Sequence, residues 1–401
     1  MRLLKIFSIL LILVFPMAEI GRIQFSNGVA ISLNDIFLGA LLIAFVIYVL
    51  RKKKKINFKK SFLLKSIAIF STIGFISLLL NLFNLSFDRF LISFLYLARF
   101  VAYALIYFIF KEFDAKFKQK INYALIFSGS MVVLLGFVQY FFYPSLRNLF
   151  YLGWDEHLYR LFSSFLDPNF AGAFFAIFSL FVVNFIPDLF KKKKWLMLSI
   201  FGMVLISTIS ALYLTYSRSA LILFVVGVVT YLALKNKKKL IVVALVGMIL
   251  LIFLLPKSFQ TEGTNFLRIT SSNSRIDSAS EAIKIFSKSP IYGVGFNAYR
   301  YAQNKLGMNN SIWQVTHSGA GTDNCFLFVL ATTGIVGFIA YLYLLFKIMR
   351  LGILKRNKNK YAIALVSSLT GLVVGSIFVN SLFYVFILEW IWIIAALTES
   401  S

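Results

Sequence analysis

Cysteine occurs once and histidine twice in 401 residues, and Asp and Glu together number only 15. A lone cysteine, Cys325, excludes an intramolecular disulfide, and one cysteine with two histidines cannot assemble a zinc site from those ligand types. No glycine-rich loop of P-loop spacing occurs, so nucleotide hydrolysis is not expected to drive the activity. No heptad series and no repeat of fixed period is present either, and no cofactor or metal is expected. What fills the chain instead is apolar surface: 60% of residues are hydrophobic, 17% are aromatic with 46 Phe, and the mean hydropathy is +0.85. No single soluble core can hide that much.

A bilayer core about 30 Å thick requires about 20 apolar residues per helix, and lipid leaves the backbone no partner outside the helix itself. Runs of that kind lie at approximately 4–20, 31–50, 62–82, 90–110, 121–143, 169–190, 195–215, 219–234, 240–255, 324–346, 361–380 and 383–398. The expected fold class is an all-α polytopic membrane protein with about 12 transmembrane helices, forming a single integral membrane domain over 1–401. One large loop, 256–323, interrupts the pattern. The first run has the basic flank of a signal peptide, but no A-x-A site follows it, so an uncleaved first helix is expected.

The net charge of +26 would suit a nucleic-acid partner were the charges clustered on one soluble face. They fall instead in alternate connections, at Arg2 and Lys5, Arg51 to Lys65, Lys111 to Lys120, Lys191 to Lys194, Lys235 to Lys239 and Lys347 to Lys360. These hold well over half of the 41 Lys and Arg, and the positive-inside rule then puts both termini in the cytoplasm and the large loop outside. Topology anchoring accounts for the Lys runs.

Polar residues assigned to the outer side are the ones in need of a reason. Arg22, Asp35, Asp88, Arg89, Arg147, Asp155, Glu156, His157, Arg160, Asp167, Asn169 and Arg218 all fall there. Snorkelling to headgroups covers Arg22, Arg89 and Arg147. Arg218 differs, because Thr215-Tyr216-Ser217-Arg218-Ser219-Ala220 is so short a connection that its flanking spans form a tight hairpin. Within the large loop, Ser274 to Asp277 has capping-box spacing, and Ile276, Ala279, Ile283 and Phe286 recur at helical spacing until Ser289-Pro290. This predicts a short amphipathic helix lying on the bundle, with Arg275 in its first turn beside free N–H groups that favour anions. A guanidinium fork there could bind two phosphate oxygens at once, or simply pair with Glu281 or Asp277.

Gly293 and Gly295 in Pro290-Ile291-Tyr292-Gly293-Val294-Gly295-Phe296 permit turn dihedrals and close backbone approach. His317 and Asp323 are the side chains of the loop best suited to take a proton from a sugar hydroxyl. His317 could equally be a solvated residue, and Asp323-Asn324 a helix cap. An exposed aspartate is the weaker base unless desolvated, so His317 is the first choice and Asp323 the alternative. Tyr292, Tyr299 and Trp313 could stack on a ligand or anchor at the interface. Arg99, about ten residues into the fourth run, is costly in a membrane. Pairing with Glu389, a polar cavity reaching inward, or snorkelling would account for it.

These residues together resemble the O-antigen ligase and O-antigen polymerase family of bacterial envelope glycosyltransferases, most strongly over 155–346. Arg160 to Asn169, Ser217-Arg218-Ser219-Ala220, Arg275 followed by Pro290-x-x-Gly293-x-Gly295, and Gly334 with Gly337 are similar to the family's stretches in order and spacing. The resemblance implies metal-independent transfer of a glycan from undecaprenyl pyrophosphate onto an acceptor hydroxyl at the outer face of the bacterial cytoplasmic membrane. A lipid-linked repeat as acceptor makes a polymerase and lipid A core makes a ligase. Arg218 and Arg275 would be catalytic through the pyrophosphate, with Arg160, Asn169, Tyr292, Gly293, Gly295, Asn324 and Arg99 as substrate-binding candidates. One departure stands out: where the family often has His-Asn before the tenth span, this chain has Asp323-Asn324, with His317 six residues upstream of Asp323. A transporter or flippase for the lipid-linked glycan is the alternative of another class, and it would be expected to show two-half symmetry.

Overall fold

The computed structural model describes residues 1–25, 29–52, 61–253, 261–266, 270–308 and 321–399. Its α-helices are α1 (Arg2–Val14), α2 (Leu33–Lys52), α3 (Leu64–Leu80), α4 (Phe87–Lys111), α5 (Ala115–Phe142), α6 (Pro168–Val183), α7 (Ile186–Lys191), α8 (Trp195–Leu214), α9 (Arg218–Leu234), α10 (Lys238–Phe253), α11 (Thr270–Lys288), α12 (Tyr299–Lys305), α13 (Cys325–Lys355), α14 (Lys360–Gly375) and α15 (Val385–Glu399). The chain is polytopic and all-α, and each of the twelve apolar runs coincides with one of these helices. Among the described residues, seven segments are long and apolar enough to cross a membrane: Arg2–Gly21, Leu33–Arg51, Phe87–Lys111, Ala115–Phe142, Pro168–Lys191, Trp195–Leu214 and Cys325–Lys355. The helices at the other five runs have 15 to 17 residues. They fall short of the length a straight crossing needs, so helix length alone does not fix twelve crossings.

α6 and α15 are buried almost all round, which marks them as the central helices of the bundle. Their contact is aromatic: Phe174 and Phe178 stack at 5.8 Å, and the Trp390 ring meets both nearly edge-on. α9 and α8 pack on α6, α14 on α9, α4 on α15, and α3 on α13. A small antiparallel ribbon, β1 (Arg22–Gln24) with β2 (Ala30–Ser32), leads into α2. Apolar periodicity gave no sign of it. Ser32 and Asp35 then form a reciprocal cap on α2, in which Asp35 accepts from the Ser32 amide at 2.8 Å and Ser32 Oγ accepts from the Asp35 amide at 3.2 Å.

α13 is broken at Gly334, whose φ of 65° and ψ of −170° lie in a region open essentially to glycine alone. The break strands main-chain groups that lipid could not satisfy. The segment Pro290 to Gly295 fills it. Ile335 and Val336 amides donate to the Pro290 and Ile291 carbonyls at 2.9 and 3.3 Å, and the Val294 and Gly295 amides donate to the Ala331 and Thr332 carbonyls at 3.0 Å each. Gly293, at φ 72°, lies so close to the Thr332–Thr333 peptide that a Cβ would come within 2.3 Å of it. From α3, Ser77 Oγ donates to the Tyr292 carbonyl at 2.6 Å, and Asn81 donates to the Gly293 carbonyl at 2.9 Å. The glycine pairs at 293/295 and 334/337 are thus linked, the first docking into the helix that the second belongs to.

The loop helix exists, with two corrections. α11 starts at Thr270, so Ser274 is not its cap and Arg275 lies beyond its first turn. The buried face is only partly the expected one: Phe286 packs on the bundle, but Ile276 and Ile283 are 67% and 55% exposed, while Ala282 and Ile285 are buried against Phe328 and Ala331 of α13. Hydrogen bonds explain the rotation. Ser278 Oγ donates to Thr322 Oγ1 at 3.0 Å, and Gln303 of α12 donates to Glu281 at 3.0 Å.

Candidate active site

A cavity of about 620 Å³ opens at the end of the bundle where the α8–α9 hairpin turns. Its aromatic floor includes Phe165, Phe170, Phe296, Phe328, Phe383 and Tyr384, with Phe170 stacked on Tyr384 at 4.1 Å. Polar residues make the walls. Asp155, His157, Asp167 and Asn169 come from the segment leading into α6, Thr322 and Asp323 from the entry to α13, and Arg22, Arg89, Tyr96, Arg99, Arg300 and Tyr301 from the ribbon, α4 and α12.

Each is placed by a local device. Asp167 caps α6, accepting from the Asn169 and Phe170 amides at 2.6 and 3.4 Å, with Pro168 preset at the first helical position. Its other carboxylate oxygen lies 4.0 Å from His157 Nε2. Asn169 Oδ1 accepts from Ser217 Oγ at 3.0 Å, which ties the cavity wall to the hairpin. Ser217 caps α9, so Arg218 begins that helix. The two helix pairs meet at Gly172, where a Cβ would lie 2.6 Å from that of Ala220.

Arg218 and Arg275 are brought together beside the carboxylate wall. Arg218 donates to Ser272 Oγ of α11 at 3.2 Å. Enclosure lowers the pKa of the Arg275 guanidinium; Asp323 and Asp167 pull it back up while Arg218 pushes it down. Arg275 therefore feels the fields of three other charged groups, two acidic and one basic. Asp323 is an exposed residue of the cavity lining with protein gathered round it. That surrounding raises its pKa, Arg275 opposes the rise, and Asp167 adds to it. Asp155 is raised for the same reasons, by enclosure and then by Asp167 and Asp323.

Of the residues expected from the sequence, Asp323, Asn169 and Arg99 line the cavity, whereas Arg218 and Arg275 are not among its lining residues; the hairpin that carries Arg218 is tied to the wall through Ser217 and Asn169. Arg99 does not pair with Glu389. It makes a two-pronged bond to Asp35 at 2.8 and 2.6 Å, which Tyr103 joins at 3.1 Å, while Glu389 accepts from Asn34 at 2.9 Å. Asn324 caps α13 through the Phe326 and Leu327 amides at 2.9 and 3.0 Å. Arg160 is buried and donates through Nε to the Thr215 carbonyl at 2.9 Å, holding the hairpin turn. Tyr292, Gly293 and Gly295 sit in the α13 break, away from the cavity lining. His317 and Trp313 lie outside the described residues. His157, Asp155 and Asp167 are cavity residues that the sequence marked only as outward polar outliers; their signal was the clustering of carboxylates and histidine just before Pro168-Asn169. Among the described residues, no group of three His, Cys, Asp or Glu is arranged to hold a metal ion.

Residues 201–342 match the family model for O-antigen ligase. Over these residues the chain is similar to the O-antigen ligase family. No curated protein matches the chain significantly. The O-antigen ligase match runs from within α8 into α13, and so contains Arg218, Arg275, the Pro290 to Gly295 segment, Asp323 and the Gly334 break. Arg22, Arg89, Arg99, Asp155, His157 and Asp167, which complete the cavity, lie before the matched residues.

Proposed function

We propose that this membrane protein is a glycosyltransferase that moves a glycan from undecaprenyl pyrophosphate to an acceptor hydroxyl, and that it acts as an O-antigen or capsule-type polysaccharide polymerase. The observation that supports the reading is that Arg218 donates to Ser272 of α11, the helix that carries Arg275, that Arg218 and Asp323 both shift Arg275 electrostatically, and that Asp323 lines the cavity, all within the O-antigen ligase match. The acceptor oxygen forms a bond to the anomeric carbon as the bond from that carbon to pyrophosphate breaks, inverting the centre. The leaving group departs with its electron pair as an anion, for which Arg218 and Arg275 supply positive charge. A donor aimed at developing charge is worth about 3–4 kcal/mol. The acceptor's proton goes to Asp323, whose raised pKa meets the objection that an ordinary aspartate is too weak a base. His317 is the rival for that role.

Orientation follows from the basic connections: both termini cytoplasmic, with the cavity facing out from the cytoplasmic membrane. The test is transfer of radiolabelled glycan in vesicles containing the purified chain, with lipid-linked repeat and lipid A core as competing acceptors. A product ladder on the lipid-linked repeat is expected. Single additions to lipid A core would identify a ligase. Movement of the donor across the bilayer without any transfer would identify a flippase and overturn the reading.

A further inference from the structure

Resting on the transferase reading, we infer that Gln139, a buried residue of α5, is a positioning residue: its side-chain amide clamps a strained stretch of backbone and so holds Asp155, His157 and Asp167 at the cavity wall. The amide is filled to capacity. Its Nε2 donates to the Tyr143 and Arg160 carbonyls at 3.0 and 3.3 Å, and its Oε1 accepts from the Phe162 and Ser163 amides at 2.8 and 3.1 Å. A carboxamide has two N–H donors and two acceptor lone pairs, and all are used here on main chain. Turning it over would set oxygen against oxygen and N–H against N–H, so one orientation alone fits.

The backbone it clamps needs holding. His157, Tyr159, Ser163 and Leu166 have φ of 48°, 55°, 52° and 55°, four of the nine left-handed non-glycine residues among the described ones, gathered within ten positions. Lys193, Tyr216 and Asn236 also count among the nine, but each follows a helix, where a left-handed residue commonly ends the last turn. His157, Tyr159 and Ser163 follow none. The clamp falls in the middle of the segment, with cavity residues on both sides of it: Trp154, Asp155 and His157 before, Phe165 and Asp167 after. Its neighbours are fixed to helix ends, the Tyr159 amide donating to the Pro144 carbonyl and the Leu161 amide to the Leu214 carbonyl at 2.9 Å each. The segment lies directly on α5, since a Cβ at Gly136 would come within 2.8 Å of Leu161. Without the amide, the Phe162 and Ser163 N–H groups lose their acceptor, and the left-handed residues relax toward ordinary dihedrals. Burial, then Arg275, then Asp167 set the proton affinity of Asp323, so movement of this wall reaches the proposed base.

The test is glycan transfer by purified full-length Gln139→Leu, which keeps an apolar stem and removes all of the amide's bonds. Its kcat should fall about 10- to 100-fold, as misplacement by about 1 Å does, with donor KM within a few-fold of wild type. Hydrogen exchange over 153–167 should quicken while the buried α6 keeps its protection. Tyr159→Gly supplies the second reading. Tyr159 is 40% exposed, and glycine is relaxed at its left-handed φ, so this change alone should leave transfer near wild type. Added to Gln139→Leu, it should recover about 5-fold or more of kcat, which a mere loss of packing would not allow. If Gln139→Leu does not fold, the same readings are taken on Gln139→Glu, which keeps the shape and the acceptors and gives up at least one donor. Wild-type kcat, unchanged exchange over 153–167, or no recovery with Tyr159→Gly overturns the positioning role. A wild-type protein that transfers no glycan rejects the transferase reading, and exchange over 153–167 then decides the clamp by itself.

Discussion

Gly293→Ala tests the union of the Pro290 to Gly295 segment with the broken helix. The new methyl would stand 2.3 to 2.4 Å from the Thr332 carbonyl and the Thr333 nitrogen, which are backbone atoms that cannot rotate away. Alanine at φ 72° costs about 1–2 kcal/mol before any contact is counted. Relief of the clash requires the segment to withdraw, loosening the 3.0 Å bonds from Val294 and Gly295 to Ala331 and Thr332 at about 1 kcal/mol each. The sum is about 3–4 kcal/mol. Gly334→Ala meets the same obstacle from the other side, with Ile291 O at 2.2 Å, and should cost a similar amount. Because either change undocks the same segment, the double variant should be destabilised little more than either single one, a coupling that independent sites do not show. Gly202→Ala in α8 is the control: nothing lies within 4 Å of its added methyl, and helix propensity favours alanine by about 1 kcal/mol. Reversible unfolding of the purified protein in mixed micelles reads all four. Wild-type stability in Gly293→Ala, or full additivity in the double variant, would refute the docking.

Arg218→Lys and Arg275→Lys keep the charge but lose the fork, and each should lower transfer by about 100- to 1,000-fold in protein that still folds and inserts; wild-type turnover by both would reduce them to anchors. The acid limb of the pH–rate profile should lie above the ordinary carboxylate value of about 4, since activity is lost as pH falls through the raised pKa of Asp323. Asp323→Asn should abolish transfer while His157→Ala and His317→Ala retain it within a few-fold; abolition by His317→Ala instead would move the base to the loop. The same rise in pKa means Asp323 favours the folded state below pH about 4 and withdraws that contribution as pH climbs through its folded value, so Asp323→Asn should raise stability at neutral pH. In a Cys325→Ser background, which removes only a buried thiol, Lys284→Cys should react with an impermeant reagent in intact cells and Asn236→Cys only after permeabilisation; the reverse pattern would invert the topology.

The helices were legible because hydrophobic length is a local property: every apolar run became a helix, and Gly293-x-Gly295 announced unusual backbone. Rotation about a helix axis was not legible. α11 offers apolar stripes on more than one face, and hydrogen bonds to Thr322 and Gln303, distant in sequence, chose Ala282 and Ile285 over Ile276 and Ile283. Arg99 likewise had two acids within reach of its depth. Asp35 won because the Ser32 cap had already fixed it at the start of α2, where both carboxylate oxygens meet the guanidinium. Chemistry in the site follows the same logic. Residue type alone ranked His317 above Asp323 as a base; proton affinity also depends on surroundings, and the protein around Asp323, with Asp167, raises its pKa while Arg275 opposes the rise. An aspartate so placed can do at this position what a histidine does with its intrinsic pKa, provided the wall of carboxylates from the segment before α6 stays in place. That wall lies outside the matched residues, so in the proposed transferase the matched segment supplies Arg218, Arg275 and Asp323 while the preceding segment sets their surroundings.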